Sequence, residues 1–351
     1  MTTRRLPTYY LSHGGGPWPY MEDGGMRRRF DKLEASLLAI RREWDDAVRA
    51  VLVISGHWET AEFAVSSAAR PGMVFDYYGF PEHLYRIKYD APGSPELAIR
   101  VRAMLQAGGF ACESDPERGF DHGTFSLMKP LYPNGEMPIV QLSVKQDLDP
   151  QAHLSVGRLL APLRSEGVVI IGSGSSFHNL GLRGPAAIEP SRHFDDWLQQ
   201  TLLQVSTAER RRRVATWMLA PHARSAHPRE DHLIPLMVAL GAAEEEPAAL
   251  VYHQPDFLGG WALSSFRFGD PAPAIPYKRS RREPPKPTWE ISNVRFRVGF
   301  SDPTRNLDIA GRGAHVQAGG LRRSGDCREA PYEIAEHCGM GVSIAQQAAA
   351  S

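Results

Sequence analysis

The sequence predicts an α/β fold in which a central sheet, mostly parallel or mixed, is flanked by helices on both faces. Short apolar runs alternate along the chain with longer segments in which apolar residues recur at helical spacing. Strands that are buried on both faces read as continuous apolar runs, because helices cover both sides of their sheet. The alternation of the two patterns therefore indicates one layered α/β domain.

Four apolar runs have the length of buried strands. Each of them ends in a turn or a Gly-rich stretch, as strands do where they leave a sheet. The predicted strands span residues 8–11, 50–54, 138–144 and 168–171.

Five segments have the spacing of amphipathic helices. In the first of them Leu33, Leu37 and Ile40 recur at intervals of three or four residues. Gly108 and Gly109 follow the second, as is typical of a helix C-terminus. The predicted helices span residues 30–50, 95–107, 150–164, 193–205 and 229–240.

The composition of the chain changes near Asp270. From there to Pro287 the sequence is Pro-rich and basic, which is typical of a linker. The remainder is rich in Gly, Arg and Ala and has few large apolar residues with which to build a core. We therefore expect a folded domain over residues 1–277, and a linker with a disordered C-terminal extension over residues 278–351.

The charges of the chain balance, with 40 Lys and Arg against 40 Asp and Glu. We therefore expect no nucleic acid and no anionic membrane among its partners. The three cysteines show no Cys-x-x-Cys spacing, which speaks against a thiolate zinc site and against a disulfide framework. With no signal peptide and no apolar run of about 18 residues, the sequence predicts a cytoplasmic protein.

Five of the 13 histidines stand out by position. His13, His57, His122 and His178 follow predicted strands or lie in Gly-rich turns, and His232 lies in the predicted first turn of a helix. Open α/β sheets bind ligands at the carboxyl ends of their strands, where such side chains converge. A single histidine of this kind is more often a hydrogen-bonded turn residue. Because imidazole binds metals and transfers protons, the recurrence predicts a mononuclear metal enzyme.

Other classes of enzyme fit the sequence less well. The segment from His13 to Gly16 has the form of an esterase oxyanion loop, but no serine lies in a Gly-x-Ser-x-Gly nucleophile elbow. The Gly-rich stretch after residue 171 has Phe177 where a dinucleotide fingerprint requires its third glycine, and the chain has no Walker A sequence.

Several motifs, in order along residues 7–267, resemble those of the DODA-type (4,5-DOPA) extradiol ring-opening dioxygenases. These enzymes belong to the class III extradiol superfamily, as does protocatechuate 4,5-dioxygenase. The segment Asp76-Tyr77-Tyr78-Gly79-Phe80-Pro81 also resembles that family. The motifs are Ser12-His13-Gly14, Ser55-Gly56-His57-Trp58, Gly119-Phe120-Asp121-His122-Gly123, Gly172-Ser173-Gly174 with His178-Asn179-Leu180, and Glu230-Asp231-His232.

The resemblance implies a role for each of the five histidines. His13, His57 and His232 would be metal ligands. His178 would lie against the metal, either as a ligand or as the base that takes a proton from the catechol. His122 would be an acid/base residue of the oxygen pocket, beside the ligands.

The composition of the ligand set stays open at this point. Protocatechuate-type relatives use a glutamate as their third ligand, and a carboxylate would complete the facial triad of non-haem Fe(II) oxygenases. Glu230, Asp231 and His227 are therefore further candidates for the metal shell.

The resemblance implies that residues 1–277 are a catalytic domain that opens a substituted catechol with O2, with Fe²⁺ as the expected metal and Zn²⁺ as a possible one. The alternative is a zinc-binding protein of the same fold without oxygenase activity, either a hydrolase or an interaction module. Zinc is redox-inert and accepts an all-histidine shell, so the residues alone allow both.

Overall fold

The computed structural model of the chain describes residues 5–22 and 24–270. The predictions for residues 278–351 lie outside this range. Eight strands form one sheet. They are β1 (Thr8–Ser12), β2 (Ala50–Thr60), β3 (Phe63–Ser66), β4 (Cys112–Asp115), β5 (Ile139–Lys145), β6 (Val168–Gly174), β7 (Ala248–Phe257) and β8 (Trp261–Phe268).

The α-helices of the described residues lie between these strands, together with short 3-10 turns at Trp18–Tyr20, Glu82–Tyr85, Ala161–Ser165 and Trp217–Leu219. The helices are α1 (Gly25–Arg28), α2 (Asp31–Glu43), α3 (Pro95–Ala107), α4 (His122–Leu131), α5 (Pro150–Leu160), α6 (Pro185–Leu203), α7 (Thr207–Ala215), α8 (Ala223–Ala226) and α9 (Ile234–Gly241).

The sheet is mixed, in the order β4-β3-β5-β2-β6-β1-β8-β7. Its four central strands, β5, β2, β6 and β1, are parallel neighbours, so their carboxyl ends meet at one edge. The hairpin of β7 and β8 adds antiparallel strands on one side, and β3 pairs antiparallel with β5 on the other. The predicted α/β class with a mixed sheet is confirmed.

Helices cover both faces of the sheet, as strand β1 illustrates. The Thr8 hydroxyl donates a hydrogen bond to the carbonyl of Ala239 in α9 at 2.6 Å. The hydroxyl of Tyr9, whose side chain points to the opposite face, accepts one from Trp44 at the end of α2 at 3.1 Å. Because both faces are covered, all five side chains of β1 are buried.

The predicted strands are all present, while some predicted boundaries are wrong. Strand β2 runs six residues beyond residue 54, so His57 lies inside it. The helix predicted over residues 30–50 ends at Glu43. The helix predicted from residue 229 begins at Ile234, so His232 lies in the turn before α9 and not in its first turn.

Among the described helices, none is both long enough and apolar enough to cross a membrane.

Candidate metal centre

Three histidines meet at the carboxyl edge of the central strands. His13 directly follows β1, His57 lies in β2, and His232 lies in the turn before α9. One ring nitrogen from each lies within 4.8 Å of the other two. His13 and His232 are each 2% exposed, so the cluster is enclosed by protein.

His57 reaches this edge because β2 is irregular there. The pairing of β2 with β5 shifts register between Ser55 and Glu59, and its pairing with β6 ends at Ser55. Such a bulge re-aims the side chains that follow the regular part of a strand. The structure thus places His57 beside His13, with ring centroids 4.8 Å apart.

Glycines let the segment that carries His232 pack directly on the strand ends. A Cβ atom at Gly174 would lie 2.0 Å from the carbonyl oxygen of His232, and one at Gly56 would lie 2.9 Å from that of Asp231. The same His232 carbonyl accepts a hydrogen bond from the hydroxyl of Tyr10 at 2.7 Å. Close backbone packing therefore sets the position of the His232 ring.

Two carboxylates orient two of the imidazole rings. Nδ1 of His232 donates to Asp231 at 2.9 Å, and Nδ1 of His57 lies 3.3 Å from an oxygen of Asp76. A ring whose Nδ1 carries the proton presents a lone pair at Nε2. The two Nε2 atoms face each other at 3.1 Å. This is the arrangement by which proteins orient metal-binding histidines.

The donor set fits a divalent transition metal. Two nitrogens that bind one ion at about 2.0–2.1 Å are about 2.9–3.4 Å apart when the angle at the ion is about 90–110°. The separation of 3.1 Å between the Nε2 atoms of His57 and His232 lies in that range. Neutral imidazoles suit iron and zinc alike, so the residues present fit either ion.

His122 lies beside this group at the start of α4. Its Nδ1 donates to Asp76 at 2.9 Å, and its backbone amide donates to the same oxygen at 3.1 Å. Its ring centroid is 3.9 Å from that of His57. Asp121 caps α4 by accepting from the amide of Thr124 at 2.9 Å, which fixes the turn that carries His122.

Burial and neighbouring charged side chains set the pKa values of the three aspartates near the rings. Burial raises the pKa of Asp76, but His122 and His57 lower it further, so the pKa lies well below the usual range. Burial likewise raises the pKa of Asp231, and His232 and His178 bring it well below the usual range. In fully buried Asp121 the effect of burial prevails over the Arg118 guanidinium, and the pKa is raised.

His178 completes the group from the segment after β6. Its ring stacks on that of His232, with centroids 3.5 Å apart and planes inclined by 14°. Its backbone amide donates to the carbonyl of Ala226 at 2.9 Å. The structure therefore brings together all five histidines that the sequence singles out.

The three further candidates for the metal shell are placed differently. The carboxylate of Glu230 forms an ion pair with Arg224 at 2.5 Å. Nε2 of His227 donates to the carbonyl of Ser176 at 3.1 Å, and neither Glu230 nor His227 belongs to a possible metal-binding group among the described residues. Asp231 does belong to one, with His178 and His232, and it contacts the His232 ring directly.

Asp76 is not among the site residues that the sequence predicts, although its motif contributes to the family resemblance. The side chain accepts from His122 and lies beside His57, residues 46 positions later and 19 positions earlier in the chain. No spacing rule connects residues of these elements, so the motif alone was the available signal.

A cluster of histidines at the carboxyl edge of an α/β sheet, oriented by carboxylates, is the arrangement of a mononuclear metal enzyme. Residues 7–259 match the family of the catalytic LigB subunit of aromatic ring-opening dioxygenase, and the chain belongs to this family. It is an extradiol dioxygenase, as the resemblance implied, and family membership favours this function over the zinc-binding alternative.

Its relatives agree with this membership. The chain is 37% identical to a 4,5-DOPA dioxygenase extradiol of Beta vulgaris over 270 residues, which are 74% of this chain and 96% of that protein. It is 35% identical to the enzyme of the same name from Portulaca grandiflora over 277 residues, 74% and 95% of the two chains. The crystal structure of uncharacterized protein JW3007 from Escherichia coli K12 superposes with a TM-score of 0.61 at 26% identity, over 76% of this chain and all of that one.

Proposed function

We propose that this enzyme opens a substituted catechol with O2 at a ferrous ion held by His13, His57 and His232. The observation that carries the proposal is the facing pair of Nε2 atoms, 3.1 Å apart, each on a ring that a carboxylate orients through Nδ1. In this assignment Asp231 accepts the hydrogen bond from Nδ1 of His232 and is not itself a ligand.

The catechol would bind in a cavity of about 150 Å³ that opens beside His178. Its walls are mostly apolar, as an aromatic ring requires, and Arg29 and Arg183 add positive charge to its lining. The apolar side chains that line it are Met26, Phe30, Leu180, Phe257, Leu258, Trp261 and Leu263.

The protein's own residues would move the protons. His178 lines this cavity and stacks on His232, so it is placed to take a proton from a catechol hydroxyl as the ring binds. His122 lies on the other side of the cluster, 3.9 Å from His57 between ring centroids. Since Asp76 accepts the Nδ1 proton of His122, Nε2 is the nitrogen left for acid/base chemistry: it would accept a proton in the neutral ring and would donate one once the ring is protonated.

Ferrous iron would supply the redox chemistry, because it can bring the diol oxygens and O2 together and pass electrons between them. Both atoms of O2 enter the product as the ring bond beside the diol breaks. The ring opens into a single product, which carries one carboxylate and one aldehyde group. The catechol supplies the electrons, so the reaction needs no further reductant.

We further propose that the catalytic domain comprises residues 1–277, which the family match over 7–259 supports. A cytoplasmic location stays a prediction from the sequence.

The test is anaerobic reconstitution of the metal-free enzyme with Fe(II), followed by addition of O2 and a panel of catechols that includes DOPA. We expect oxygen uptake and a coloured ring-opened product with at least one member of the panel. The control is the same protein loaded with Zn(II), which is redox-inert and should take up no oxygen. No oxygen uptake by the Fe(II) form across a broad panel would contradict the proposal.

A further inference from the structure

A second group of metal-binding side chains lies outside the candidate metal centre. It consists of Glu189 and His193 in α6 and His222, which directly precedes α8. One donor atom from each of the three lies within 4.8 Å of the other two. The imidazole rings of His193 and His222 are 5.3 Å apart between centroids and inclined by 34°.

The backbone brings these three side chains to one place. Glu189 and His193 are four residues apart in α6 and therefore share one face of that helix. His222 adopts the left-handed conformation, with φ 55° and ψ 24°, which is uncommon for a residue other than glycine. The buried side chains of Phe194 and Leu198 hold helix α6 against the protein, so the backbone that carries Glu189 and His193 is held in place.

We propose that Glu189, His193 and His222 form a second metal site, which takes Zn²⁺. Two imidazoles and one carboxylate are a common ligand set for zinc, with a fourth position left for water. Ligand atoms of a tetrahedral zinc ion are about 3.3–3.4 Å apart, so donors now within 4.8 Å need rearrange by only about 1.5 Å. Glu189 and His222 are exposed, so rotation of their side chains is enough to bring the donor atoms to this spacing.

The site would be connected to the catalytic one through α8. The carbonyl of His222 accepts from the amide of Ala226 at 2.8 Å, and the carbonyl of Ala226 accepts from the amide of His178 at 2.9 Å. The carbonyl of Ser225 accepts from the side chain of Asn179 at 2.8 Å. A zinc ion that joins His222 to α6 would therefore restrain the segment on which the backbone of His178 rests.

The first experiment counts zinc. Wild-type protein and the variants His193→Gln and Glu189→Gln are equilibrated with the same free Zn²⁺ concentration, and bound zinc is measured per chain. We expect each variant to bind one zinc fewer than wild type, while His83→Gln, at an exposed histidine elsewhere, binds as many as wild type. Equal zinc content in wild type and both variants would overturn the proposal.

The second experiment follows the connection to α8. Amide hydrogen exchange of residues 222–227 is compared with and without Zn²⁺ in wild type and in His193→Gln. We expect zinc to slow this exchange more in wild type than in His193→Gln, because zinc bound at the first site contributes equally in both proteins. The same slowing in both proteins would overturn the proposal. Neither measurement uses turnover, so its outcome is independent of whether the enzyme opens catechols.

Discussion

Asp76 accepts two hydrogen bonds from His122, one from ring Nδ1 at 2.9 Å and one from the backbone amide at 3.1 Å. Its second oxygen lies 3.3 Å from Nδ1 of His57. One carboxylate thus orients a proposed metal ligand and a proposed acid/base residue together.

We therefore expect Asp76→Asn to weaken both metal binding and turnover. Loss of an orienting carboxylate costs roughly 10–100-fold in metal affinity or activity, because the ring loses its fixed tautomer and direction. Fe(II) affinity and kcat of the reconstituted enzyme measure the two effects. The matched control is Asp90→Asn at an exposed carboxylate, and unchanged affinity and kcat in Asp76→Asn would contradict the assignment.

The stacking of His178 on His232 predicts a separable role for His178. We expect His178→Ala to lose turnover by about 100-fold or more, because the group that takes the catechol proton is gone. The metal should remain, since His13, His57 and His232 are untouched. Metal content and oxygen uptake are measured in parallel with His13→Ala, which should lose the metal itself. If His178→Ala also lost the metal, His178 would be a ligand and not the base.

The absence of a side chain at Gly174 lets the segment that carries His232 pack against the end of strand β6. A Cβ atom at this position would lie 2.0 Å from the carbonyl oxygen of His232, so Gly174→Ala has to push that backbone away. We expect a loss of about 1–3 kcal/mol in the free energy of unfolding and weaker metal binding. Gly72→Ala is the control, because a Cβ atom there meets nothing within 4 Å. Equal unfolding midpoints of the two variants would argue against the steric account.

We expect buried His227 to make the folded state less stable at acidic pH. Burial first, and then the neighbouring His178, lower the pKa of His227 to about 3. In the unfolded chain the pKa is about 6.5, so the unfolded state binds more protons between the two values and stability falls as pH drops through that window. From pH 7.5 to pH 5 this one group should cost about 2 kcal/mol.

The measurement is the free energy of unfolding of metal-free protein at pH 7.5 and at pH 5, for wild type and His227→Gln. The variant should be less stable at pH 7.5 but should lose about 2 kcal/mol less on acidification. His153, whose pKa burial also lowers, keeps part of the slope in both proteins. An unchanged slope in His227→Gln would mean that His227 is protonated in the folded state at pH 5.

The centre of the fold could be predicted from sequence, and its margins could not. Strands β1, β5 and β6 lie within the sheet, so burial on both faces leaves continuous apolar runs that are easy to recognise. Strand β4, at one edge, has the sequence CESD with two exposed residues and carries no such signal. Strand β7, at the other edge, exposes Leu250 and His253 among others and likewise has no continuous apolar run.

The candidate site divides in the same way. Its five histidines could be found because each stands at a strand end, in a Gly-rich turn or near a predicted helix start. The role of Asp76 could not, since it depends on contacts with β2 and α4 that only the folded chain creates. The close approach of Gly174 to His232 is likewise a contact between segments far apart in sequence.

The carboxylates of Asp76 and Asp231, which orient the rings, also contribute to the net charge of the candidate metal centre. Asp76 and Asp231 both have pKa values well below the usual range and therefore carry one negative charge each, and an imidazole is neutral when it binds a metal. A divalent cation would bring the enclosed site to zero net charge without a carboxylate touching it. A bound catechol that kept both protons would leave the net charge of the site unchanged. Each proton that the catechol loses to solvent would make this net charge more negative by one. Proton release on substrate binding is thus coupled to the electrostatics of the centre, and a monovalent or trivalent ion would leave it with an uncompensated charge.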